Sequence, residues 1–170
     1  WRRPVAMATY YDTLYVLDPL ANLVLKYPPS PRGYDMPAVS YFKEDVSVKL
    51  SNAVDLSIDG HVYVLHSDGR ISKSPSGGPV PSAQSELDEP LDAPSCIVAC
   101  GYMEEGGHVY VADRGNQRIV QFSKDGEFIQ QFRGSKPEYM DDLGSLFVDE
   151  EARKIYLTNG SILYQANLPE

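Results

Sequence analysis

Residues 108–132, HVYVADRGNQRIVQFSKDGEFIQQF, contain the clearest structural pattern in the sequence. Apolar and polar residues alternate in VYVAD, RIVQF and EFIQQF, and this alternation predicts three β-strands. The first connecting turn is predicted at residues 114–117. The second is predicted at Lys124-Asp125-Gly126, because Asp-Gly between two alternating segments is a strong hairpin signal. The other segments of the chain are weaker copies of this unit.

A tyrosine marks the second strand of each copy. The copies read LYVLD at 14–18, VYVL at 62–65, VYVAD at 109–113 and IYLT at 155–158. The tyrosines are separated by 48, 47 and 46 residues; they are Tyr15, Tyr63, Tyr110 and Tyr156. An apolar segment precedes each copy and another follows it. A fourth strand is predicted at 38–42 and 127–132 and, from a weaker pattern, at 78–80.

Repeats of this length, each with about four antiparallel strands, are typical of β-propeller blades. The sequence therefore predicts an all-β chain, a single β-propeller domain or propeller fragment of four-stranded antiparallel blades. The repeats span about 1–45, 46–84, 85–133 and 134–170. A β-sandwich or a jelly roll is the alternative, but neither accounts for the tyrosine period. Residues 136–142 are expected to form a helical turn at most.

Composition excludes several classes of function. The formal net charge is −9, from 15 basic and 24 acidic side chains, so no nucleic acid is expected as a partner. No segment approaches the roughly 18 apolar residues of a membrane helix, so no membrane insertion is expected. Cys96 and Cys100, four residues apart on one strand, would lie roughly 13 Å apart, too far for a disulfide. They are predicted to be small buried residues rather than zinc ligands.

Residues 109–132 resemble the NHL repeat. Its pattern is an apolar strand, Asp, a short turn with Asn, Arg-Ile, an apolar strand ending in Phe, and then Asp-Gly. The first repeat keeps Asp18 and Asn22, and the second keeps Asp68-Gly69-Arg70-Ile71. The resemblance implies a six-bladed propeller that serves as a binding platform. The chain has only four units, and the last one stops after its third strand, at Leu168-Pro169. These two observations suggest the C-terminal part of a larger ring, and a genuine four-bladed propeller is the alternative.

Propeller geometry also sorts the polar residues. The turns between second and third strands, together with the loops that link the blades, should form the rim where ligands usually bind. Arg114 on this rim is a candidate to meet an anionic partner, with Asn116 in the same turn. In the structural alternative, Asp113 and Asn116 bond turn amides while Arg118 packs along the sheet. The acidic segment 85–92 is expected to be a solvated loop between blades.

Two further candidates come from the histidines and the inner strands. His61 and His108 precede V-Y-V on the opposite rim, so only His66 lies on the favourable one. Asp55 interrupts an apolar inner strand and is a candidate to face the central channel or bind a cation.

The predicted function is a non-enzymatic NHL-like module that binds a protein, peptide or small ligand through one rim. The binding candidates are Arg114, Asn116, Asp55 and His66. No catalytic residue, metal site or cofactor is predicted. The alternative is part of a metal-assisted lyase or hydrolase that uses His66 and Asp55. Self-association through exposed blade edges is a further expectation.

Overall fold

Four antiparallel sheets follow one another along the chain. The computed structural model describes residues 1–78, 84–103 and 106–169. The first sheet contains β1 (Ala6–Tyr10), β2 (Thr13–Asp18), β3 (Leu23–Tyr27) and β4 (Val39–Ser40). The second contains β5 (Ala53–Ile58), β6 (His61–His66) and β7 (Ile71–Pro75). The third contains β8 (Pro94–Ala99), β9 (Val109–Asp113), β10 (Arg118–Phe122) and β11 (Phe128–Arg133). The fourth contains β12 (Leu143–Asp149), β13 (Lys154–Asn159) and β14 (Ile162–Asn167).

The predicted all-β architecture is confirmed, and its details differ at the outer strands. β4 has two residues, where the sequence predicted a strand over 38–42. β11 begins and ends one residue later than predicted, at Phe128 and Arg133. Of the strand predicted at 78–80, Gly78 is not in a strand and residues 79–80 lie outside the described residues. A short 3-10 helix, Pro137–Tyr139, forms the expected helical turn, and no helix in the described ranges is long and apolar enough to cross a membrane.

The tyrosine period reflects how each sheet packs on the next. The inner strands β1, β5, β8 and β12 pack in succession, and an apolar cluster fills each of the three spaces between sheets. Tyr15 belongs to the cluster between the first and second sheets, Tyr63 to the next and Tyr110 to the last. Tyr63 and Tyr110 are 2% and 0% exposed. Each of these large rings therefore covers the face of its sheet that meets the following sheet.

In the described part of the chain, nothing comparable covers the outward faces of the first and fourth sheets. The ring of Tyr156 lies 5.9 Å from that of Phe147, which is 61% exposed on β12. Leu163 on β14 and Met7 on β1 are also strongly exposed. Among the described residues, no packing as extensive as that between the other inner strands joins β12 to β1. The expected self-association, which would cover exposed parts of these sheets, stays a prediction.

A bulge recurs near the start of three inner strands. The register shifts between Ala53 and Asp55 in β5, between Pro94 and Cys96 in β8, and between Leu143 and Leu146 in β12. A bulge bends its strand and increases the local twist. Its repetition bends each of these inner strands where the chain enters the sheet from a linking loop.

Replacing Gly107 with alanine is expected to destabilise the chain more than the same change at Gly106. Both residues have positive φ, 73° and 67°, so alanine costs each about 1–2 kcal/mol. A Cβ at Gly107 would lie 2.3 Å from the carbonyl oxygen of Cys100, whereas a Cβ at Gly106 has nothing within 4 Å. Urea unfolding should show an additional loss of about 1 kcal/mol or more for Gly107→Ala. Equal losses for the two variants would contradict this close approach.

Candidate functional site

The turns between second and third strands meet the linking loops and form one rim with them. Asn22 donates from Nδ2 to the carbonyl oxygen of Val48 (3.0 Å) and accepts from the backbone N–H of Leu50 (2.9 Å). In the third sheet, the N–H of Gly115 donates to the carbonyl oxygen of Asp92 at 2.8 Å. The polar turn residues therefore hold the loops that enter the sheets.

The last residue of each second strand is buried on this rim. The four residues are Asp18, His66, Asp113 and Asn159. Asp18 accepts backbone N–H bonds from Arg2 (2.6 Å), Arg3 (3.1 Å) and Ala21 (3.0 Å). Burial raises the pKa of Asp18, but these donors outweigh it and the pKa lies below its usual value. Asn159 likewise accepts from the N–H of Asp142 at 2.7 Å.

Arg118 is the centre of a buried ion-pair network. Its Nε donates to Asp113 Oδ2 at 2.7 Å, and its Nη1 donates to Glu89 Oε2 at 2.9 Å and Gln131 Oε1 at 2.6 Å. The side chain of Arg118 is 4% exposed and that of Asp113 is 0% exposed. The sequence led us to expect only that the Arg118 stem packs along the sheet; the structure shows that its charged head is buried as well.

Arg114 and Asn116, the two candidates in this turn, have different surroundings. Asn116 Nδ2 donates to Asp113 Oδ2 and to the carbonyl oxygen of Pro90, both at 2.8 Å. Its side chain therefore joins the turn to the linking loop. Arg114 is 53% exposed, and its Nη2 lies 2.6 Å from Asp142 Oδ1. Of the two candidates, Arg114 is thus the more accessible to solvent or a partner.

Asp55 joins two inner strands. Its Oδ2 accepts from the backbone N–H of Ile97 at 2.8 Å, and Ser57 Oγ accepts from the N–H of Ala99 at 2.9 Å. Burial raises the pKa of Asp55 above its usual value, although hydrogen bonds oppose the shift. The bond to Ile97 gives Asp55 a role in joining the second and third sheets.

His66 is fully buried within a polar cluster. Its Nδ1 lies 2.9 Å from Asn52 Oδ1 and 3.1 Å from Arg70 Nη2, and its Nε2 lies 3.0 Å from Ser72 Oγ. Burial, with the neighbouring charge of Arg70, lowers the pKa of His66 to about 4. His66 is therefore a neutral imidazole at neutral pH.

The opposite rim contains a second set of buried polar contacts. His108 Nδ1 lies 2.7 Å from Glu150 Oε1, which also accepts from the hydroxyl of Tyr110 at 2.7 Å. Asp59, buried at the turn after β5, binds the ammonium of Lys124 in the third sheet. Sequence reasoning missed this ion pair, because Asp59-Gly60 and Lys124 read only as turn residues.

The cysteines and the potential metal ligands are dispersed. Cys96 and Cys100 are both free thiols, and burial raises the pKa of each to about 12. In the described part of the chain, no group of three or more His, Cys, Asp or Glu side chains is arranged to hold a metal ion.

Two depressions near this rim were not predicted. One, of about 630 Å³, lies between the β6–β7 turn and the loop that leads to β8. We call it the rim groove; its lining includes Asp68, Gln84, Glu86, Leu87 and Leu91. The other, of about 410 Å³, lies between the linking loop that precedes β5 and the strands β6 and β7. We call it the basic cavity; its lining includes Phe42, Lys49, Val64, Arg70 and Ser72. Each depression brings together residues from separate repeats, so no short sequence motif indicates it.

The four successive sheets and the packing of their inner strands define a propeller-type repeat protein, and comparison with solved structures agrees. Virginiamycin B lyase from Staphylococcus aureus matches at 13% identity and a TM-score of 0.60, covering 98% of this chain and 56% of that chain. A gluconolactonase from Xanthomonas campestris matches at 15% identity and a TM-score of 0.64, covering 99% and 58%. The WD40 repeats of RRP9 match at 8% identity and a TM-score of 0.63, covering 92% and 45%. The chain thus spans about half the length of these structures.

Within this class, one segment of the chain is similar to the NHL repeat. The NHL repeat model matches residues 102–122, which end in β10 of the third sheet. The match confirms the resemblance predicted from the sequence. A search of curated proteins gives no match.

Proposed function

We propose that the chain is a non-enzymatic propeller module that binds a basic peptide or protein segment along its rim. The observation that carries this proposal is the rim groove, where carboxylates and apolar side chains occur together. Asp68 and Glu86 supply negative charge, and Leu87, Pro90 and Leu91 supply apolar surface. A lysine- or arginine-containing segment would pair its charges and its apolar side chains with these two kinds of surface.

The charge around the groove supports a basic partner. Asp88 is exposed on the same linking loop, and Asp141 and Asp142 are exposed on the loop that enters the fourth sheet. Exposed carboxylates attract an oppositely charged partner over about a Debye length and speed its association. Arg114, which projects from the rim between these loops, is proposed to contact an acidic residue of the same partner.

The four sheets are further proposed to be blades of a larger ring, six-bladed as the NHL resemblance implies. The uncovered faces around Met7 and Phe147 support this proposal, because further blades packed against the first and fourth sheets would bury both faces.

The binding proposal predicts that neutralising the groove at Glu86 and the adjoining loop at Asp88 weakens the binding of a basic peptide. We expect Glu86→Gln with Asp88→Asn to lower the affinity for a fluorescein-labelled Lys/Leu-rich peptide about two- to tenfold, because two exposed ion pairs are lost. Fluorescence anisotropy measures the affinity. The matched control is Asp12→Asn with Glu151→Gln, which removes the same charge from exposed turns on the opposite rim. Equal weakening by both pairs would mean that only the overall charge matters and would refute the groove.

The alternative, part of a metal-assisted lyase or hydrolase, is suggested by the enzymes among the similar structures. At 13–15% identity those similarities concern the fold. His66 and Asp55, the residues nominated for it, are engaged with Asn52 and Ser72 and with Ile97 respectively. The binding module therefore has the stronger support.

A further inference from the structure

The basic cavity has a positively charged lining in a chain whose net charge is −9. Its charged lining residues are Lys49, Arg70 and Lys73, and its described lining contains no carboxylate. Serine hydroxyls add hydrogen-bonding groups; they belong to Ser47, Ser72 and Ser74. An anion entering this cavity would meet donors and positive charge, whereas most of the surface would repel it.

Arg70 supplies a positive charge that forms no ion pair with a carboxylate among the described residues, although its charge contributes to lowering the pKa of the nearby Asp68. Its Nη1 donates to Ser72 Oγ at 2.8 Å, and its Nη2 lies 3.1 Å from His66 Nδ1. Both partners are neutral. Asp68 accepts from the backbone N–H of Arg70 at 3.2 Å, and no described carboxylate forms an ion pair with the guanidinium. Partly buried charges are usually paired, so this arginine has capacity for an anionic partner.

Because His66 is neutral, its Nδ1 does not fully use the hydrogen-bonding capacity of the Arg70 guanidinium. A neutral imidazole nitrogen either donates or accepts, so Nδ1 cannot both donate to Asn52 Oδ1 and accept from Arg70 Nη2. If Nδ1 donates to Asn52, one guanidinium N–H lacks an acceptor within this cluster.

Lys49 adds the second charge. It is exposed on the linking loop at the cavity, and no hydrogen bond or ion pair of its side chain occurs among the described residues. Lys73 differs, because its Nζ donates to the carbonyl oxygen of Lys124 at 3.2 Å, toward the third sheet. We therefore assign the charges of the site to Arg70 and Lys49.

We infer that the basic cavity binds the phosphate group of a small organic phosphate. The planar guanidinium of arginine matches phosphate oxygens in pairs, and the lysine ammonium acts as an additional point charge. The volume of about 410 Å³ leaves room beyond one phosphate group. Phe42, Val48 and Val64 line the same cavity and offer apolar surface to the rest of the ligand. This inference is independent of the peptide proposal, which concerns the rim groove.

The first experiment is isothermal titration calorimetry of the purified chain with phenyl phosphate, inorganic phosphate and phenol. We expect both phosphates to bind and phenol not to bind, because the phosphate group is the recognised part. Tighter binding of phenyl phosphate would identify an organic phosphate as the ligand type, and equal binding would identify the free ion. Absence of binding by both phosphates would overturn the inference.

Variants locate the site. We expect Lys49→Gln and Arg70→Gln each to weaken phosphate binding roughly tenfold or more, because each removes a charge-assisted contact. Lys43→Gln is the matched control, because Lys43 is exposed on the same linking loop and does not line the cavity. Equal weakening by Lys43→Gln and Lys49→Gln would overturn the site. Arg70 also lines the rim groove, so Lys49→Gln, with peptide affinity unchanged, separates this site from the peptide proposal.

Discussion

Replacing Arg118 with methionine is expected to lower the free energy of unfolding by about 3–5 kcal/mol. Methionine keeps the apolar stem but removes the guanidinium, which donates to Asp113 Oδ2 at 2.7 Å. The Asp113 carboxylate would remain buried without its cationic partner, and burying an uncompensated charge is costly. Glu89 would also lose one of its ion pairs. Urea unfolding followed by circular dichroism measures the loss.

Arg114→Met is the matched control for this prediction. Arg114 occupies the same turn and also forms an ion pair, at 2.6 Å from Asp142. Both side chains of that pair are 53% exposed, so its loss should cost about 0–1 kcal/mol. If Arg118→Met cost no more than Arg114→Met, the buried network would not be a source of stability.

Acidification from pH 7 to about pH 4 is expected to remove about 3 kcal/mol of stability through His66 alone. Burial, and then the charge of Arg70, lowers the pKa of His66 from 6.5 to about 4. As the pH falls below 6.5, the unfolded chain takes up a proton at this histidine and the folded chain does not. The stability that His66 contributes is therefore complete above pH 6.5 and is lost as the pH falls toward 4.

The variant His66→Gln isolates this contribution, because glutamine does not titrate. The free energy of unfolding of the two proteins should be measured by urea at several pH values between 7 and 4. Asp18, whose pKa is lowered, and Asp55, whose pKa is raised, affect both proteins alike. The wild-type protein should lose about 3 kcal/mol more than the variant. Parallel pH profiles would show that the folded protein protonates His66 near its ordinary pKa.

The repeat architecture was predictable because its signals are local. Alternation fixes a strand, Asp-Gly fixes a hairpin, and the recurrence of Tyr15, Tyr63 and Tyr110 marks the face that packs on the next sheet. These signals depend on neighbouring residues and on one regular period. They fail at β4, where two residues pair instead of five, because pairing there depends on the course of the following loop.

The candidate residues were harder to predict, because a sequence does not show which polar groups are already bonded. Asp55 and Asn116 read as groups available to a ligand, yet each holds a backbone group of another segment, the N–H of Ile97 and the carbonyl oxygen of Pro90. His66 was predicted to be a binding residue on the rim formed by the turns between second and third strands. What the sequence could not show is its contact with Arg70 and Ser72, and hence the position of both beside the basic cavity.

The face of each sheet that bears the repeated tyrosine is turned toward the following sheet. The row of four sheets therefore has two different ends, which we call the tail, at the fourth sheet, and the head, at the first. The tail face, around Tyr156 and Phe147, corresponds to the faces that elsewhere receive the following sheet. The head face, around Met7, corresponds to the faces that elsewhere receive the preceding sheet. Two tails or two heads therefore do not reproduce the internal contacts, whereas a tail meeting a head does. Additional units, from this chain or another, would extend the array in one sense only, and such head-to-tail growth either closes into a ring or continues as a filament.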